Sequence, residues 1–371
     1  MILILTQCFP SRLGGVESLV SNLALSLSKS EKIIVFADRH HIFYDAIFDN
    51  QHKDEILVRR VGGIKFFRRR RKIKEIKPFI ESKKVKLVIS DSWKSLELGI
   101  DYLNINKIPV ICLAHGNELL SNNETKNKRI KNVLYKVNCI IANSIFTKNL
   151  VKNFTTTDLF VDVIHPGASD LRKIDEKKVL NIIGNPIVLT LARLEKRKGH
   201  KFIILSIKKL LSEFPNLQYV IAGDGSELQN LKKLVKLENL EKNIIFVGNI
   251  NDAQKKYLFE KTNLMIMPTL DETKNCSIEG FGISYLEAAF FSIPSIASNI
   301  GGTPEAVIHN ATGKIINSID ELYPSIRELL INEKQRLDFG QNAQKRAVAE
   351  FNWSFISKKY LSIINTLVNT N

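Results

Sequence analysis

The residues most able to do chemistry stand in one short block, Glu279 to Glu287, which reads E-G-F-G-I-S-Y-L-E. An apolar strand, Leu264 to Met267, ends at Pro268. A polar loop follows it, and a helix is expected to begin near Gly282. The first turn of a helix leaves backbone N–H groups unpaired and carries the positive end of the helix dipole, so anions settle there. Phe281, Gly282 and Ile283 would supply those N–H groups, and Gly280 and Gly282 let a ligand approach the main chain. Glu287, about one turn in, leans back toward the helix start, while Glu279 reaches the same spot from the preceding loop. Taken singly each is ordinary: Glu279 as a solvated loop acid, Glu287 on the surface of an amphipathic helix, the glycines as a turn. Together they describe an anion cradle flanked by two carboxylates able to read hydroxyls, which suits a sugar nucleotide better than a bare phosphate.

Other segments could complete such a site. Arg193 follows the strand Ile187 to Leu191 and Lys198 precedes the next helix, so both can converge on one anion, with Lys196 and Arg197 as ordinary solvated charges. His115 opens H-G-N-E directly after the strand Pro109 to Ala114, at the strand end where open parallel sheets place functional groups. Gly14 and Gly15 join the first strand to the first helix, the usual place for a phosphate contact. Gly223-Asp224-Gly225 lacks the third glycine of a dinucleotide fingerprint.

The block E-G-F-G-I-S-Y-L-E-A-A, followed by G-G-T-P-E-A-V from Gly301, resembles retaining glycosyltransferases of family 4. It is most similar in flavour to the phosphatidylinositol mannosyltransferases and related bacterial envelope enzymes. The segment Ala192 to Gly199 resembles the family's G-R-L-x-x-x-K-G, with Ala192 in place of glycine. Gly14-Gly15-Val16-Glu17 resembles its G-G-x-E, His115 to Glu118 its H-G-x-E, and Gly223 to Gly225 its G-D-G turn. His165 to Ser169 resembles P-x-G-V-D with Ser169, or Asp170 in a shifted register, at the acidic position.

The resemblance implies two Rossmann-like domains facing each other across a cleft (the GT-B arrangement) and transfer of a hexosyl group from a nucleoside diphosphate sugar with retention. Arg193 and Lys198 would grip the diphosphate, His115 would lie by the donor sugar and diphosphate, Glu279 by the sugar hydroxyls and Glu287 by the ribose. Gly248, Asn249 and Ile250 would hold the nucleobase through backbone atoms. No residue presents itself as a nucleophile, and departure of the leaving phosphate on the front face is the mechanism implied. No D-x-D triplet occurs in the chain, so no metal and no cofactor is expected. The acceptor implied is a glycan or a lipid-linked sugar of bacterial surface polysaccharide or lipopolysaccharide synthesis. A nucleotide-sugar epimerase or hydrolase of the same fold is the alternative.

These residues need elements that bring them to strand ends. Strand and helix patterns alternate throughout, which predicts α/β architecture with parallel sheets covered on both faces. Strands are expected at 1–6, 32–37, 56–61, 85–90, 109–114, in the second half of 133–142, and at 161–164, 187–191, 217–222, 244–247, 264–267 and 313–316. Residues 1–170 form a first, acceptor-binding domain and 186–352 a second, nucleotide-sugar-binding domain. The charged stretch 170–185 reads as a linker, and the helix 353–371 as crossing back to the first domain.

With 371 residues, 44% of them apolar, the chain can bury two cores. Cys8, Cys112, Cys139 and Cys276 show no C-x-x-C spacing, which indicates reduced thiols and the cytoplasm. The first residues read as a strand rather than a signal peptide, and no run approaches the roughly 18 apolar residues of a membrane span. The net charge is +16, about two-thirds of it within residues 1–172 and densest at Lys65 to Lys72, beside Phe66 and Phe67. A basic segment with aromatics fits an anionic membrane surface, here the cytoplasmic face of the inner membrane, or simply a solvated helix. Nucleic acid would account for the charge but not for Glu279 and Glu287, so it is not expected as a partner.

Overall fold

The computed structural model describes residues 1–155 and 159–369; the side chains of Lys65 and Phe66, part of the basic aromatic segment, lie outside the described set. The chain divides into two compact units, Met1–Gly167 with Trp353–Asn371, and Ala168–Asn352.

The first unit is built on β1 (Ile2–Thr6), β2 (Ile33–Asp38), β3 (Leu57–Val61), β4 (Leu87–Ser90), β5 (Val110–Ala114), β6 (Cys139–Ala142) and β7 (Phe160–Val163). They form one parallel sheet in the order β3-β2-β1-β4-β5-β6-β7. Central strands such as β1 and β5 are buried along their whole length, as their unbroken apolar runs require of a sheet covered on both faces. Strand order reverses between β1 and β4, which opens a crevice at their carboxyl ends. The helix Trp353–Asn369 belongs to this unit and packs on the helix Gly15–Leu27.

The second unit is built on β8 (Ile187–Leu191), β9 (Gln218–Ala222), β10 (Ile244–Gly248), β11 (Leu264–Met267), β12 (Ser295–Ser298) and β13 (Gly313–Ile316). They too form a parallel sheet, ordered β10-β9-β8-β11-β12-β13, and the order reverses between β8 and β11. Successive strand residues face opposite layers: Leu189, Val220 and Met265 enter one core, Val188, Tyr219 and Ile266 the other. The stretch 170–185 is not the coreless linker expected from its charge. Leu171, Val179 and Ile182 are buried in the second unit's core, because three apolar side chains spaced along an irregular segment can bury without any helical or strand period.

The basic helix Lys65–Glu81 is also less solvated than its composition suggests. Lys72 is 1% exposed, bonded to the Thr6 carbonyl and paired with Asp38 at 2.8 Å. Arg68 reaches Asp38, Arg69 pairs with Glu97 at 2.6 Å, and Arg71 donates to the Gly62 carbonyl at 3.1 Å. The exposed residues Phe67, Arg70, Lys74 and Lys77 recur at helical spacing and make one outward stripe.

Candidate active site

The second unit's site forms at its strand-order reversal. After β8 the chain makes a turn, Ala192 to Glu195, then a 3-10 turn, Lys196–Lys198, and enters the helix His200–Leu210 through Gly199. Gly199 has φ +69° and its Cα faces the Pro268 carbonyl, which a Cβ would meet at 2.3 Å, so only glycine fits there. That close approach brings the cationic turn against the end of β11 and the loop that follows. Leu270 N–H donates to the Arg197 carbonyl at 2.7 Å and locks the two segments together.

Glu279 stands between two buried cations. Arg197 donates to its Oε2 at 2.6 Å, and Lys198 Nζ bonds the same oxygen. Arg197 is 4% exposed, and Lys198 is also buried, with its Nζ 3.3 Å from Met267 Sδ. Arg197 is therefore no solvated charge. In a 3-10 turn of three residues, adjacent side chains diverge widely, and the one aimed inward cannot be told from its neighbours by composition. Arg193, expected beside Lys198, is instead exposed and pairs with Glu195 at 2.6 Å, and Glu195 in turn lies 3.4 Å from Arg197. Five side chains thus alternate in sign: Arg193, Glu195, Arg197, Glu279, Lys198.

Burial pushes the Glu279 carboxyl up, but Lys198 and then Arg197 outweigh it and hold the group at about 2. Burial lowers the Lys198 ammonium, against the pull of Glu279. The carboxylate is ionised in this state, and two cations share it.

The glycines fix where Glu279 sits. Gly301, at φ +62°, packs on the Glu279 carbonyl, which a Cβ would meet at 2.1 Å, and Gly302 N–H donates to that carbonyl at 3.0 Å. The downstream G-G-T-P-E segment is thus a clamp on the loop that carries the acid. Gly282, at φ +98°, caps the helix Ile283–Phe290, as its position in the motif led one to expect. Within that helix Glu287 is buried and pairs with Lys255 at 3.0 Å. Burial works against the Lys255 ammonium, and Glu287 with Asp252 more than offsets it, raising it above the ordinary lysine value. Lys255 was not legible as a site residue. The one signal was the capping box of Asn251 and Gln254, which sets it in the first turn of the helix Asp252–Lys261.

Gly223 and Gly225 pack against the turn after β8, where a Cβ on each would meet the carbonyls of Ala192 and Leu194 at 2.0 and 2.5 Å. Leu194 N–H donates to the Asp224 carbonyl, so the G-D-G turn props up the cationic segment. Gly248, at φ +68°, has open space beside it and accepts from Gly223 N–H at 2.8 Å; Asn249 and Ile250 follow it at the mouth of β10.

In the first unit the site residues gather at the β1–β4 reversal. His115 Nε2 lies 2.8 Å from the Asp91 carbonyl; a carbonyl only accepts, so Nε2 carries a proton there. The His115 N–H donates to Glu118 at 2.6 Å. Asp91, not singled out by sequence, is buried and accepts from Thr6 Oγ1, Gln7 N–H and Ser95 Oγ at 2.6–2.8 Å, tying the ends of β1 and β4 together. The helix start at Gly14 and Gly15 is not an open anion cradle. The Glu17 carboxylate folds back over Gly14 and pairs with Arg12 at 2.8 Å. Asp170 caps the 3-10 turn Leu171–Lys173 and pairs with Arg172 at 2.7 Å, a local role. Among the described residues, no three His, Cys, Asp or Glu gather as a metal site.

Residues 172–346 match the family model of glycosyl transferases group 1. The second unit is a glycosyltransferase group 1 domain. The chain is 28% identical over 176 residues to a GDP-mannose-dependent alpha-(1-6)-phosphatidylinositol monomannoside mannosyltransferase of Mycobacterium tuberculosis, a match spanning 47% of this chain and 46% of that protein. A monoacylated-acceptor counterpart from Corynebacterium glutamicum is 23% identical over 385 residues, covering 98% of this chain and 97% of its own. In fold, the chain is similar to Anabaena HepE in complex with UDP and glucose, with a TM-score of 0.80 at 18% identity over 99% of this chain and 100% of that one. The glycosyltransferase domain therefore coincides with the unit that holds Arg197, Lys198, Glu279 and Glu287.

The paired Glu279 has a folded-state value below its ordinary one, so the stability it contributes is complete above the ordinary carboxylate range and is lost progressively as pH falls from that range through about 2. Carbon-detected NMR of the side-chain carboxyl should show it ionised at about pH 3.5, where an ordinary glutamate near 4.3 is mostly protonated. Lys198→Met should move the midpoint upward. A wild-type midpoint in the ordinary range would contradict the pairing.

Proposed function

We propose that this protein is a retaining glycosyltransferase that moves a hexosyl group from a nucleoside diphosphate sugar, GDP-mannose or a UDP-hexose, to a glycan or lipid-linked acceptor of the bacterial envelope. The observation that carries the reading is the buried Arg197–Glu279–Lys198 cluster at the mouth of β8 and β11. Two cations held on one carboxylate at a strand-order reversal are poised to exchange it for a diphosphate. The relatives named for GDP-mannose and the neighbour bound to UDP support the donor class, and the phosphatidylinositol mannoside acceptors in the relatives' names support a lipid-linked acceptor.

In this reading the diphosphate takes the carboxylate's place on Arg197 and Lys198, and Arg193 at the exposed end of the charge chain closes over it. Negative charge grows on the leaving diphosphate as the glycosidic bond breaks, and prearranged cations stabilise that growth more than the ground state. Glu279, released, turns to the sugar hydroxyls, and Glu287 with Lys255 serves the ribose. The leaving phosphate oxygen takes the acceptor proton on the same face, which retains the anomeric configuration. The cations neutralise the diphosphate without a metal ion.

Loss of one such donor costs about 10²–10³ in rate. Arg197→Ala and Lys198→Ala should each lower turnover by about that factor with far-ultraviolet circular dichroism unchanged, and wild-type activity should persist in EDTA. Near-normal turnover in both variants, or activity restored only by added Mg²⁺ or Mn²⁺, would contradict this account of the leaving group.

The same proposal places the protein on an anionic membrane, at the cytoplasmic face, through the exposed stripe of Arg70, Lys74 and Lys77 with Phe67. No helix among the described residues is long and apolar enough to cross a membrane. Each exposed cation near an anionic leaflet gains about 1 kcal/mol, screened by salt. The protein should sediment with anionic but not neutral vesicles at low salt, and the triple variant R70Q/K74Q/K77Q should lose most of that binding. Equal sedimentation of the variant would rule the stripe out.

A further inference from the structure

One helix of the first unit is turned inside out. In the helix Ile42–Gln51 the buried residue is an acid, Asp45, while Ile42, Phe43 and Tyr44 of the first turn are 76, 65 and 57% exposed and Ile47 is exposed too. A surface helix ordinarily buries its apolar side chains and shows its polar ones. The reversal is held in place from beneath. Asp45 accepts from Ser11 Oγ at 2.7 Å and from the main-chain N–H groups of His40 and His41 at 2.9 and 3.2 Å. The His41 side chain caps the helix by accepting from Tyr44 N–H at 3.3 Å. Phe48 packs edge-on against Phe9, with ring centroids 5.4 Å apart. The exposed turn is thus a fixed feature of the fold and not a frayed end.

Two neighbouring segments enlarge it. Leu13, two residues past Ser11, is exposed, and so is Ile64, which leads into the basic helix Lys65–Glu81. Arg68 of that helix donates to the Arg39 carbonyl at 3.3 Å, three residues before Ile42, so the two helix starts stand together at the carboxyl ends of β2 and β3. The acids nearest to them, Asp38 and Asp45, are buried. Every exposed ionisable side chain described in 12–13, 39–47 and 63–71 is basic: Arg12, Arg39, His40, His41, Arg70 and Arg71. An apolar tip ringed by cations points to one kind of partner. Ile42, Phe43 and Tyr44 are consecutive, about 100° apart around the helix axis, so together they point through roughly 200° of arc. A flat protein face can cover one side of such a tip, whereas a fluid bilayer closes round all of it. Aliphatic and aromatic side chains above a rim of cations match the headgroup boundary of an anionic membrane.

We propose that the first turn of the helix Ile42–Gln51, with Leu13 and Ile64 beside it, inserts into the acyl boundary of an anionic bilayer. Insertion deepens the membrane placement above and rests on it only for the charge of the lipid. Stable anchoring takes two signals. The stripe of Arg70, Lys74 and Lys77 supplies the electrostatic one, and the tip supplies the apolar one. Charge brings the first unit to the leaflet, and insertion fixes which end of its sheet faces the lipid.

The test uses the full chain at low salt with vesicles of phosphatidylcholine, alone or mixed with phosphatidylglycerol. In Tyr44→Trp the introduced indole should shift its emission to the blue on the mixed vesicles and be quenched by bromine on their acyl chains, with the wild type as blank. Vesicles of phosphatidylcholine alone should leave it unchanged. The variant I42S/F43S/Y44S keeps every cation and should lose roughly tenfold or more in affinity for the mixed vesicles. Its circular dichroism should match the wild type, because the three side chains are exposed. Indole emission that stays unquenched on bound protein, or a serine variant that binds as the wild type does, would overturn insertion and leave the stripe to R70Q/K74Q/K77Q. Quenching together with undiminished binding by R70Q/K74Q/K77Q would overturn the stripe and keep the tip. Failure of the wild type to bind mixed vesicles would overturn both. Self-association of the wild type that the serine variant abolishes, without quenching on vesicles, would overturn the proposal by assigning the tip to a second copy of the chain.

Discussion

Burial pushes the Glu279 carboxyl up, and the pull of Lys198 and Arg197 outweighs it and holds the group at about 2. The rest of the second unit's site depends on that balance. A buried carboxylate with one partner removed is left with an uncompensated charge, a loss of about 3–5 kcal/mol for a broken buried pair. The alternating cluster carries one positive charge in excess, because Arg193, Arg197 and Lys198 face the two carboxylates of Glu195 and Glu279. That excess is an attraction for an anion held in place before the anion arrives, which is what makes preorganised stabilisation effective.

Backbone geometry sets the cluster in register. Gly199 lets the cationic turn touch the Pro268 carbonyl, and Gly301 lets the following segment clamp the Glu279 carbonyl from the other side. Both positions have positive φ and neither has room for a Cβ. The parallel sheet supplies the frame: β8 and β11 are neighbours with their chain order reversed, so the loops leaving them diverge and then meet over the strand ends. The first unit repeats the device between β1 and β4, with Asp91 as the tie and the His115 ring resting on its carbonyl.

The alternating architecture, nearly every strand and the helix start at Gly282 were readable from apolar runs and glycines, since both are local signals. Glu279 and Glu287 stand out through the motif that holds them, and the fold gives each its own cationic partners, Arg197 with Lys198 for the first and Lys255 for the second. What escaped depends on contacts far apart in the chain. Whether Arg193 or Arg197 turns inward is decided by the 3-10 turn and the loop after β11, not by the run Lys196-Arg197-Lys198 itself. Lys255 lies more than thirty residues from its partner Glu287 and carries no motif. The helices Ile42–Gln51 and Glu124–Leu134 carry no motif, and the second, rich in lysine and asparagine, resembles a loop in composition. The basic run Arg68 to Arg71 suggested a solvated cluster, while the tertiary fold spends most of it on Asp38, Glu97 and a carbonyl.

The central claim is that Arg197 and Lys198 recognise a diphosphate by giving up Glu279. Calorimetric titration of the wild type, Lys198→Met and Glu279→Gln with UDP, GDP and the matching nucleosides tests it most directly. The account expects the preferred diphosphate to bind at least about a hundredfold tighter than its nucleoside, a gap of roughly 2.7 kcal/mol. Lys198→Met should narrow that gap, and Glu279→Gln, which removes the competing carboxylate, should widen it or leave it intact. A gap that is unchanged by Lys198→Met and abolished by Glu279→Gln would contradict the account.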